Sequence, residues 1–174
     1  MTESSALLQS GDLTLRRATG GDLSALVALQ QGAYAKNRPL LGVEPLPLLA
    51  DYAEIMRDME VWVLERNGCL AAALILEPRA DDLLIWSVAS DPSTQGAGIG
   101  RALLAAAEVR ARQLGRTVMR LYTGTPLAHL IAWYGRNGYA VERIEALSDR
   151  SITHMVKGLG CAHGEGQTSQ EQGA

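Results

Sequence analysis

A glycine-rich turn at residues 95–101 is the part of the sequence best suited to bind an anion. It consists of Gln95, Gly96, Ala97, Gly98, Ile99, Gly100 and Arg101, between an apolar run typical of a strand and an amphipathic run typical of a helix. The first turn of a helix has unpaired N–H groups and about half a positive charge, so it attracts phosphate. Glycines remove the Cβ atoms that would keep an anion away from those groups. The turn therefore predicts a pyrophosphate site.

The spacing of the glycines excludes two kinds of phosphate-binding turn. A P-loop needs Gly-x-x-x-x-Gly-Lys-Ser/Thr, and no lysine follows these glycines. A dinucleotide-binding turn needs Gly-x-Gly-x-x-Gly, and counting from Gly96 its last position is Arg101. The pattern that remains, Gln-x-x-Gly-x-Gly at Gln95, Gly98 and Gly100, resembles the acetyl-CoA loop of the GNAT superfamily of N-acetyltransferases. A glycine-rich connection without a ligand is the alternative interpretation of this pattern taken alone.

Two further segments carry the same resemblance, which extends over residues 13–157. The run Trp133–Tyr139 is similar to the family's aromatic-Tyr-x-x-x-Gly-aromatic element after its fourth helix. The run Gly42–Pro47 and the pair Asp51-Tyr52 match a Gly-x-Glu-Pro-x-Pro and Asp-Tyr pattern of one bacterial subgroup of unassigned members. The chain is therefore identified as a member of that subgroup.

The resemblance implies an α/β fold whose mixed central sheet has six to seven strands, is flanked by about four helices and is splayed at the cofactor site. Acetyl-CoA is the co-substrate that the family uses, and no metal is expected. The pantetheine arm of acetyl-CoA would run beside the end of the fourth strand at Val88, Ala89 and Ser90. The seven residues of the glycine-rich turn would hold its pyrophosphate.

The resemblance also implies that an amine attacks the thioester directly, through a tetrahedral intermediate, and that coenzyme A leaves as a thiolate. Two proton transfers follow, one from the ammonium and one to the sulfur. Tyr134 matches the family tyrosine that gives a proton or a hydrogen bond to the leaving sulfur. A phenol with a pKa of about 10 can serve this purpose because it is held in place. An ordinary helix tyrosine that closes the core is the alternative interpretation of Tyr134.

The sequence does not single out one group that removes the proton from the amine. Family members often carry a titratable side chain at the strand positions that correspond to Leu84 and Trp86, and neither of these accepts a proton. Glu44 in the substrate-side loop and Asp82, which has the strand parity of Leu84 and Trp86, are the carboxylates that could replace it. Plain surface charge is the alternative for both, and a chain of water molecules could take the proton instead.

The acceptor is expected to be a primary amine, on either a small molecule or a peptide. Tyr34 and Trp86 are expected to form walls of its pocket, and Trp86 would favour an apolar or aromatic acceptor. Leu130 replaces an asparagine that the subgroup usually has one turn before the tyrosine, which is a second departure beside the missing titratable side chain. A catalytically degenerate acyl-CoA-binding sensor or partner-binding protein is therefore the alternative function.

The elements that would position these residues follow from hydrophobic spacing and turn residues. The nearly continuous apolar run Leu83–Ala89 predicts a strand that is covered on both faces. Asn67-Gly68, between apolar runs at 61–66 and 69–77, predicts a two-residue hairpin turn. Helices are predicted at 22–34, 45–59, 99–114 and 126–136, and further strands at 13–17, 118–122, 139–145 and 152–157.

Length and composition fit one domain that can bury a core, since 47% of the 174 residues are apolar and 20% are charged. The net charge of −3 argues against nucleic-acid binding through bulk charge. Apolar runs fall short of the ~20 residues of a membrane span, and Met1–Ser10 lacks the pattern of a secretory signal. The two cysteines have no metal-ligand spacing. We therefore expect a cytoplasmic protein that binds neither nucleic acid nor membranes.

The expected domain comprises residues 12–158. Residues 1–11 are expected to be flexible, and the polar segment 159–174, rich in glycine and glutamine, is expected to be a disordered tail. Homodimers are common in the superfamily, and the final strands often take part in them. A homodimer is therefore an assembly that the resemblance allows.

Overall fold

One mixed sheet of eight strands forms the centre of the computed structural model, which describes residues 6–10, 13–94 and 96–160. The strands are β1 (Ala6–Ser10), β2 (Leu13–Arg17), β3 (Glu60–Arg66), β4 (Cys69–Pro78), β5 (Leu83–Ser90), β6 (Val118–Gly124), β7 (Ala140–Ala146) and β8 (Ser151–Gly158). Their order across the sheet is β1-β2-β3-β4-β5-β6-β8-β7. Neighbouring strands are antiparallel except β5 and β6, which are parallel.

Helices cover both faces of the sheet. The described residues form α1 (Leu23–Tyr34), α2 (Arg38–Leu41), α3 (Leu46–Leu49), α4 (Tyr52–Asp58), α5 (Ile99–Gln113) and α6 (Ala128–Arg136). α2 and α3 are single turns, so four longer helices remain, as expected. The predicted α/β class with a mixed central sheet is confirmed.

The sheet has one strand more than expected, because β1 pairs antiparallel with β2 within a segment expected to be flexible. This pairing covers an edge of β2 that would otherwise expose its backbone groups. At the other end of the chain, the N–H of Leu159 donates to the Thr117 carbonyl at 2.7 Å, and Leu159 is buried in the core. The folded part therefore includes Leu159, one residue beyond the expected boundary. Residues 1–5 and 11 of the predicted N-terminal segment and residues 161–174 of the predicted tail lie outside the described residues, as does residue 12.

The second predicted helix, expected to run continuously from Pro45 to Met59, is instead two helices. Ala50, between α3 and α4, has the extended backbone angles φ −83° and ψ 148°. The Asp51 carboxylate then accepts hydrogen bonds from the N–H groups of Ala53 and Glu54, at 2.9 and 3.3 Å. Asp51 is therefore the N-cap of α4, and the cap competes locally with continuation of the preceding helix.

The hairpin predicted at Asn67-Gly68 is present between β3 and β4. Both turn residues have positive φ angles, 52° at Asn67 and 77° at Gly68. A two-residue turn of this kind matches the twist of the strands that it joins. It sets the pairing of β3 with β4, which runs from Arg66 opposite Cys69 to Glu60 opposite Leu76.

Two apolar clusters, one on each face of the sheet, hold the layers together. Alternating residues of β4 supply both: Leu74 and Leu76 pack with α5, whereas Ala73 and Ile75 pack with α1 and α4. All four are fully buried. β4 is therefore a central strand whose two faces are both covered, and its apolar run follows from that position.

The sheet opens between β5 and β6. These strands pair only where Leu83–Ile85 lies opposite Met119–Leu121, although β5 continues to Ser90 and β6 to Gly124. On the other side of β5, the register with β4 shifts by one residue at Trp86, between the pairs Ile75–Ser87 and Leu76–Ile85. Such a bulge increases local twist and bends a strand. The predicted splay is thus confirmed, and it coincides with an irregularity in β5.

Candidate active site

A cavity of about 710 Å³ fills the opening between β5 and β6. Its walls come from the diverging strand ends, the start of α5, one side of α6 and the segment from Tyr34 to Pro47. The glycine-rich turn lies at one part of this wall, and the segment 34–47 lies at another. The cavity therefore joins the predicted phosphate site to the predicted acceptor side.

The glycine-rich turn leaves open space before the first turn of α5. Gly96 and Gly98 have φ angles of 89° and 77°, a left-handed conformation that favours glycine. A Cβ atom built on either residue would meet nothing within 4 Å. Gly98 is the N-cap of α5 and offers no side-chain cap, so the first N–H groups of the helix are left for another acceptor. This cradle fits a pyrophosphate.

The remaining predicted residues of the turn have different environments. Arg101 lines the cavity and adds a cation to the cradle. Ile99 also borders the cavity and is buried in the core cluster beneath α5. The N–H of Ala97 donates to the Thr94 carbonyl at 3.4 Å, so this group is used within the turn. Gln95 lies outside the described residues.

The predicted pantetheine residues Val88, Ala89 and Ser90 all line the cavity. They belong to the part of β5 that has parted from β6, so the backbone on that edge is free of strand pairing. An extended chain can add to such an edge through main-chain hydrogen bonds. The residues therefore fit the arm that the sequence predicted for them.

A buried polar chain supports this part of β5 from the side of α1. The Tyr34 hydroxyl donates to the Val88 carbonyl at 3.2 Å and lies 3.0 Å from Ser87 Oγ. Ser87 Oγ in turn donates to Gln30 Oε1 at 3.2 Å. Burial raises the pKa of the Tyr34 phenol, which therefore stays protonated and able to donate. Tyr34 thus contacts the cavity and also positions the strand.

Sequence analysis did not identify Ser87 and Gln30 as parts of the site. Gln30 is fully buried, and its Nε2 is the one buried side-chain polar atom without a partner among the described residues. A glutamine among the inward-facing positions of α1 is the pattern that could have indicated this polar chain, because buried polar groups need hydrogen-bond partners.

Tyr134 lies on α6 and lines the cavity. Its ring contacts those of Trp133 and Tyr139 edge-on, with centroid distances of 4.9 and 6.0 Å. No described residue hydrogen-bonds the hydroxyl, which leaves it available to a ligand. Burial raises the pKa of Tyr134 well above the ordinary value for a phenol. At neutral pH the side chain is therefore a proton donor and not a phenolate.

The pocket residue Trp86 lines the cavity and lies edge-on to Tyr52, with ring centroids 6.2 Å apart. The Tyr52 hydroxyl donates to the Pro47 carbonyl at 2.7 Å, which ties this aromatic pair to the segment 34–47. Leu130 lines the cavity from α6. Leu84 is buried where β5 still pairs with β6, opposite Arg120, and not in the open part of the strand.

The structure does not bring Asp82 to the cavity. Its carboxylate is buried at the start of β5, 2.6 Å from Arg79 Nε and 2.5 Å from Arg120 Nη1. Although burial opposes it, hydrogen bonds from the two guanidinium groups lower the pKa of Asp82. A weakly basic carboxylate held in an ion-pair network is suited to structural support.

Glu44 is likewise held by an arginine. The Arg38 Nε and Nη2 atoms donate to its two carboxylate oxygens, with shortest distances of 2.8 and 2.7 Å. These hydrogen bonds lower the pKa of Glu44. Neighbours Val43 and Pro45 line the cavity, whereas Glu44 does not. Among the described residues that line the cavity, none is an aspartate or a glutamate.

Two further polar residues of the cavity wall were missed by sequence analysis. Tyr122 follows the last residue of β6 that pairs with β5, and burial raises the pKa of its phenol to about 12. Asn37 precedes α2, is buried and lines the cavity. Neither stands in a recognisable motif, because the opening of the sheet and the path of the segment 34–47 bring them to the cavity.

Other kinds of site find no support in the described part of the chain. Residues 6–10, 13–94 and 96–160 contain no group of three or more His, Cys, Asp or Glu side chains placed to hold a metal ion. None of the helices formed by these residues has the length and apolar character needed to cross a membrane.

Solved structures with the same fold include several acetyltransferases. The ribosomal-protein-S18-alanine N-acetyltransferase from Escherichia coli matches with a TM-score of 0.70 and 23% identity, over 89% of this chain and 98% of that one. The PaiA N-acetyltransferase from Thermoplasma acidophilum, solved with coenzyme A, gives 0.67 and 17%, over 85% and 99%. A GNAT family acetyltransferase from Elizabethkingia anophelis, solved with acetyl-CoA, gives 0.66 and 14%, over 86% and 100%. At these identities the likeness establishes the fold.

The fold is shared with these acetyltransferases, and sequence comparison identifies the family. No curated protein matches the chain in sequence. The model of the acetyltransferase (GNAT) family matches residues 25–139, which is more than half of the chain. The protein therefore belongs to the GNAT family of acetyltransferases, as the glycine-rich turn and the Trp133–Tyr139 element predicted.

Proposed function

We propose that this protein transfers an acetyl group from acetyl-CoA to a primary amine by direct attack. The observation that carries the proposal is that the open edge of β5, the glycine cradle of α5 and the side chain of Tyr134 meet in one cavity. These are partners for an extended polar arm, a pyrophosphate and a leaving sulfur, respectively. Two solved acetyltransferases of the same fold, which hold coenzyme A or acetyl-CoA, support the choice of co-substrate.

In this proposal the chain holds acetyl-CoA at two places. The N–H groups at the start of α5 and the Arg101 guanidinium bind the pyrophosphate. The backbone of Val88–Ser90 binds the pantetheine arm along the unpaired edge of β5. The bound thioester supplies the acetyl carbon, to which the amine nitrogen bonds as the carbon–sulfur bond breaks.

Tyr134 is the proposed proton donor to the departing sulfur. Its raised pKa keeps the phenol protonated, and its hydroxyl has no partner among the described residues that would compete for the proton. The Trp133 and Tyr139 rings hold the Tyr134 ring in place, which is what a positioned donor requires. The proton returns to Tyr134 from solvent after each turnover.

Solvent is the proposed destination of the proton that leaves the amine. Glu44 and Asp82 are bound to arginines and do not line the cavity, and the described lining residues include no other carboxylate. The amine must then enter the reaction in its neutral form. The rate at subsaturating amine should therefore rise with pH until the amine's own pKa is reached.

Thiol release tests the proposed function. Purified protein is mixed with acetyl-CoA and a panel of small amines, antibiotics and peptides, and acetylated products are identified by mass spectrometry. Turnover of at least one amine supports the proposal. Tight acetyl-CoA binding without turnover of any panel member contradicts it and supports the non-catalytic sensor instead.

The pH dependence tests the proposed path of the proton. Two amine substrates that differ in pKa are compared through kcat/KM, and the rising limb should move with the amine. Glu44→Gln and Asp82→Asn should leave each limb in place. Suppose instead that the rising limb of the pH–rate profile stays at one pH for both amines and disappears in one of these variants. The carboxylate replaced in that variant would then be the base.

A further inference from the structure

Asn37 is a buried residue whose amide atoms keep access to the cavity and have no hydrogen-bond partner among the described residues. Its relative exposure is 5%, and it belongs to the cavity wall. Within the described part of the chain, no residue forms a hydrogen bond with its side chain. A buried polar group is normally satisfied, so an open amide at a cavity indicates a ligand group as its partner.

The position of Asn37 in the chain makes this orientation informative. Asn37 is the N-cap residue of α2, where asparagine is strongly preferred because its side chain can accept a backbone N–H. Here the side chain makes no such hydrogen bond. The amide therefore does not cap α2 and is free to bind a group in the cavity.

The segment that carries Asn37 is held firmly over the opening of the sheet. Arg38 binds Glu44 through two guanidinium nitrogens, and Arg150 Nη1 donates to the Glu44 carbonyl at 2.9 Å. The side chain of Leu41 lies so close to Gly124 that a Cβ on that glycine would collide with it. These contacts fix α2 against the end of β6, so Asn37 belongs to a preformed wall.

Asn37 and the glycine-rich turn come from different parts of the cavity wall. Gly96, Gly98 and Arg101 form the part suited to a pyrophosphate, whereas Asn37 stands in the segment 34–47, which also lines the cavity. If acetyl-CoA occupies the first part, as the proposed function requires, the amide of Asn37 faces the acceptor.

We infer that Asn37 determines specificity by binding a primary carboxamide group of the acceptor amine through two hydrogen bonds. A carboxamide side chain offers one acceptor oxygen and one donor nitrogen in a plane. A second primary carboxamide satisfies both at once, because it has an N–H and a C=O on the same side. A carboxylate can only accept, and a trans peptide group points its N–H and C=O in opposite directions. The acceptor is thus an amino-acid amide, and this inference rests on the proposed function.

Four amines that share one carbon skeleton provide the test. L-phenylalaninamide carries the amide, L-phenylalanine a carboxylate, L-phenylalaninol a hydroxyl, and phenethylamine none of these. The wild-type protein should use phenylalaninamide with a kcat/KM roughly 30-fold above that for phenethylamine, as expected from two added hydrogen bonds. L-phenylalanyl-glycinamide carries a trans peptide group at the same position, so its kcat/KM should be lower than that of phenylalaninamide, and a higher value would overturn the inference.

Asn37→Leu keeps the approximate size of the side chain and removes both hydrogen-bonding atoms. It should abolish the preference for phenylalaninamide over phenethylamine and preserve acetyl-CoA affinity. Asn137→Leu is the matched control, because the Asn137 amide donates to the Trp133 carbonyl at 2.8 Å and not to a ligand. That control should change all four amines by the same factor.

The outcomes separate the inference from the proposed function. Turnover of these amines without preference for the amide, or a uniform effect of Asn37→Leu on all four, overturns the inference and leaves the proposed function intact. Absence of turnover with the wider panel overturns the proposed function. If Asn37→Leu does not fold, the preferences of the wild-type protein alone decide, because they need no variant.

Discussion

A Cβ atom placed on Gly100 would lie 3.1 Å from the indole ring of Trp133, so the first turn of α5 directly contacts α6. This contact joins the predicted phosphate site to the proposed proton donor, because Trp133 also lies against Tyr134, with ring centroids 4.9 Å apart. The absence of a side chain at Gly100 therefore serves helix packing. The glycines at 96 and 98 have another reason, since their φ angles are positive.

Gly100→Ala should push Trp133 out of place and disturb the wall of the acetyl-CoA site. We expect the free energy of unfolding to fall by about 1–3 kcal/mol, as in other overpacked sites, and acetyl-CoA binding to weaken. Urea denaturation and calorimetry measure the two effects. Gly135→Ala is the control, because this helical position has open space and should gain about 0.5–1 kcal/mol. Unchanged stability and affinity in Gly100→Ala would show that the Trp133 ring can move aside at no measurable cost.

Gly98→Asp should abolish acetyl-CoA binding, because its side chain and negative charge would occupy the pyrophosphate cradle. Gly115→Asp is the matched control. Gly115 has a φ angle of 67° and equally open surroundings, but it lies beyond the other end of α5. Both variants should lose about 1–2 kcal/mol of stability from the left-handed backbone, and only Gly98→Asp should lose binding in calorimetry. Wild-type affinity in folded Gly98→Asp would remove the turn from the proposed site.

Tyr134→Phe keeps the ring and deletes the hydroxyl, so the fold and the affinity for acetyl-CoA should survive. We expect kcat to fall by roughly 10²–10⁴, because the donated proton matters in the transition state. The raised pKa of Tyr134 also predicts that its ionisation causes no loss of wild-type rate below about pH 10.

Tyr139→Phe is the control for this prediction. The Tyr139 hydroxyl donates to the Met119 sulfur at 3.9 Å, and Tyr139 lies outside the cavity wall. Its removal should leave kcat near the wild-type value. A wild-type kcat in Tyr134→Phe would instead assign Tyr134 to packing.

Asp82→Asn should affect stability and leave catalysis unchanged. The pKa of Asp82 is lowered in the folded protein, so its carboxylate stabilises the fold above the unfolded-state pKa of about 4. That contribution is lost as the pH falls from there towards the lower folded-state pKa. At pH 7 the variant should lose about 1–3 kcal/mol of unfolding free energy, and the difference should shrink below about pH 4. Urea denaturation at several pH values tests this, and a changed pH–rate profile would contradict it.

Features that depend on neighbouring residues in the chain were predictable from the sequence. The hairpin at Asn67-Gly68, the apolar strand at Leu83–Ala89 and the glycine-rich start of α5 are all present in the structure. Each follows from the backbone preferences of a few residues or from the periodic spacing of apolar side chains, and both can be seen in a short stretch of sequence. The prediction of one continuous helix from Pro45 to Met59 was wrong at Ala50. Asp51 caps a new helix there, although the spacing of apolar residues is compatible with a continuous helix.

The environment of each charged or polar side chain was decided only by the tertiary structure. Asp82 is bound by Arg120, which is 38 residues further along the chain, and Tyr34 reaches Ser87 across 53 residues. No local pattern contains such pairs, because they arise where strands and helices that are distant in sequence meet. The sequence by itself therefore determined the family, the glycine-rich turn and Tyr134 as a candidate donor. The packing of α1 and of the segment 34–47 on the opened sheet decided which polar groups line the cavity, Asn37 among them.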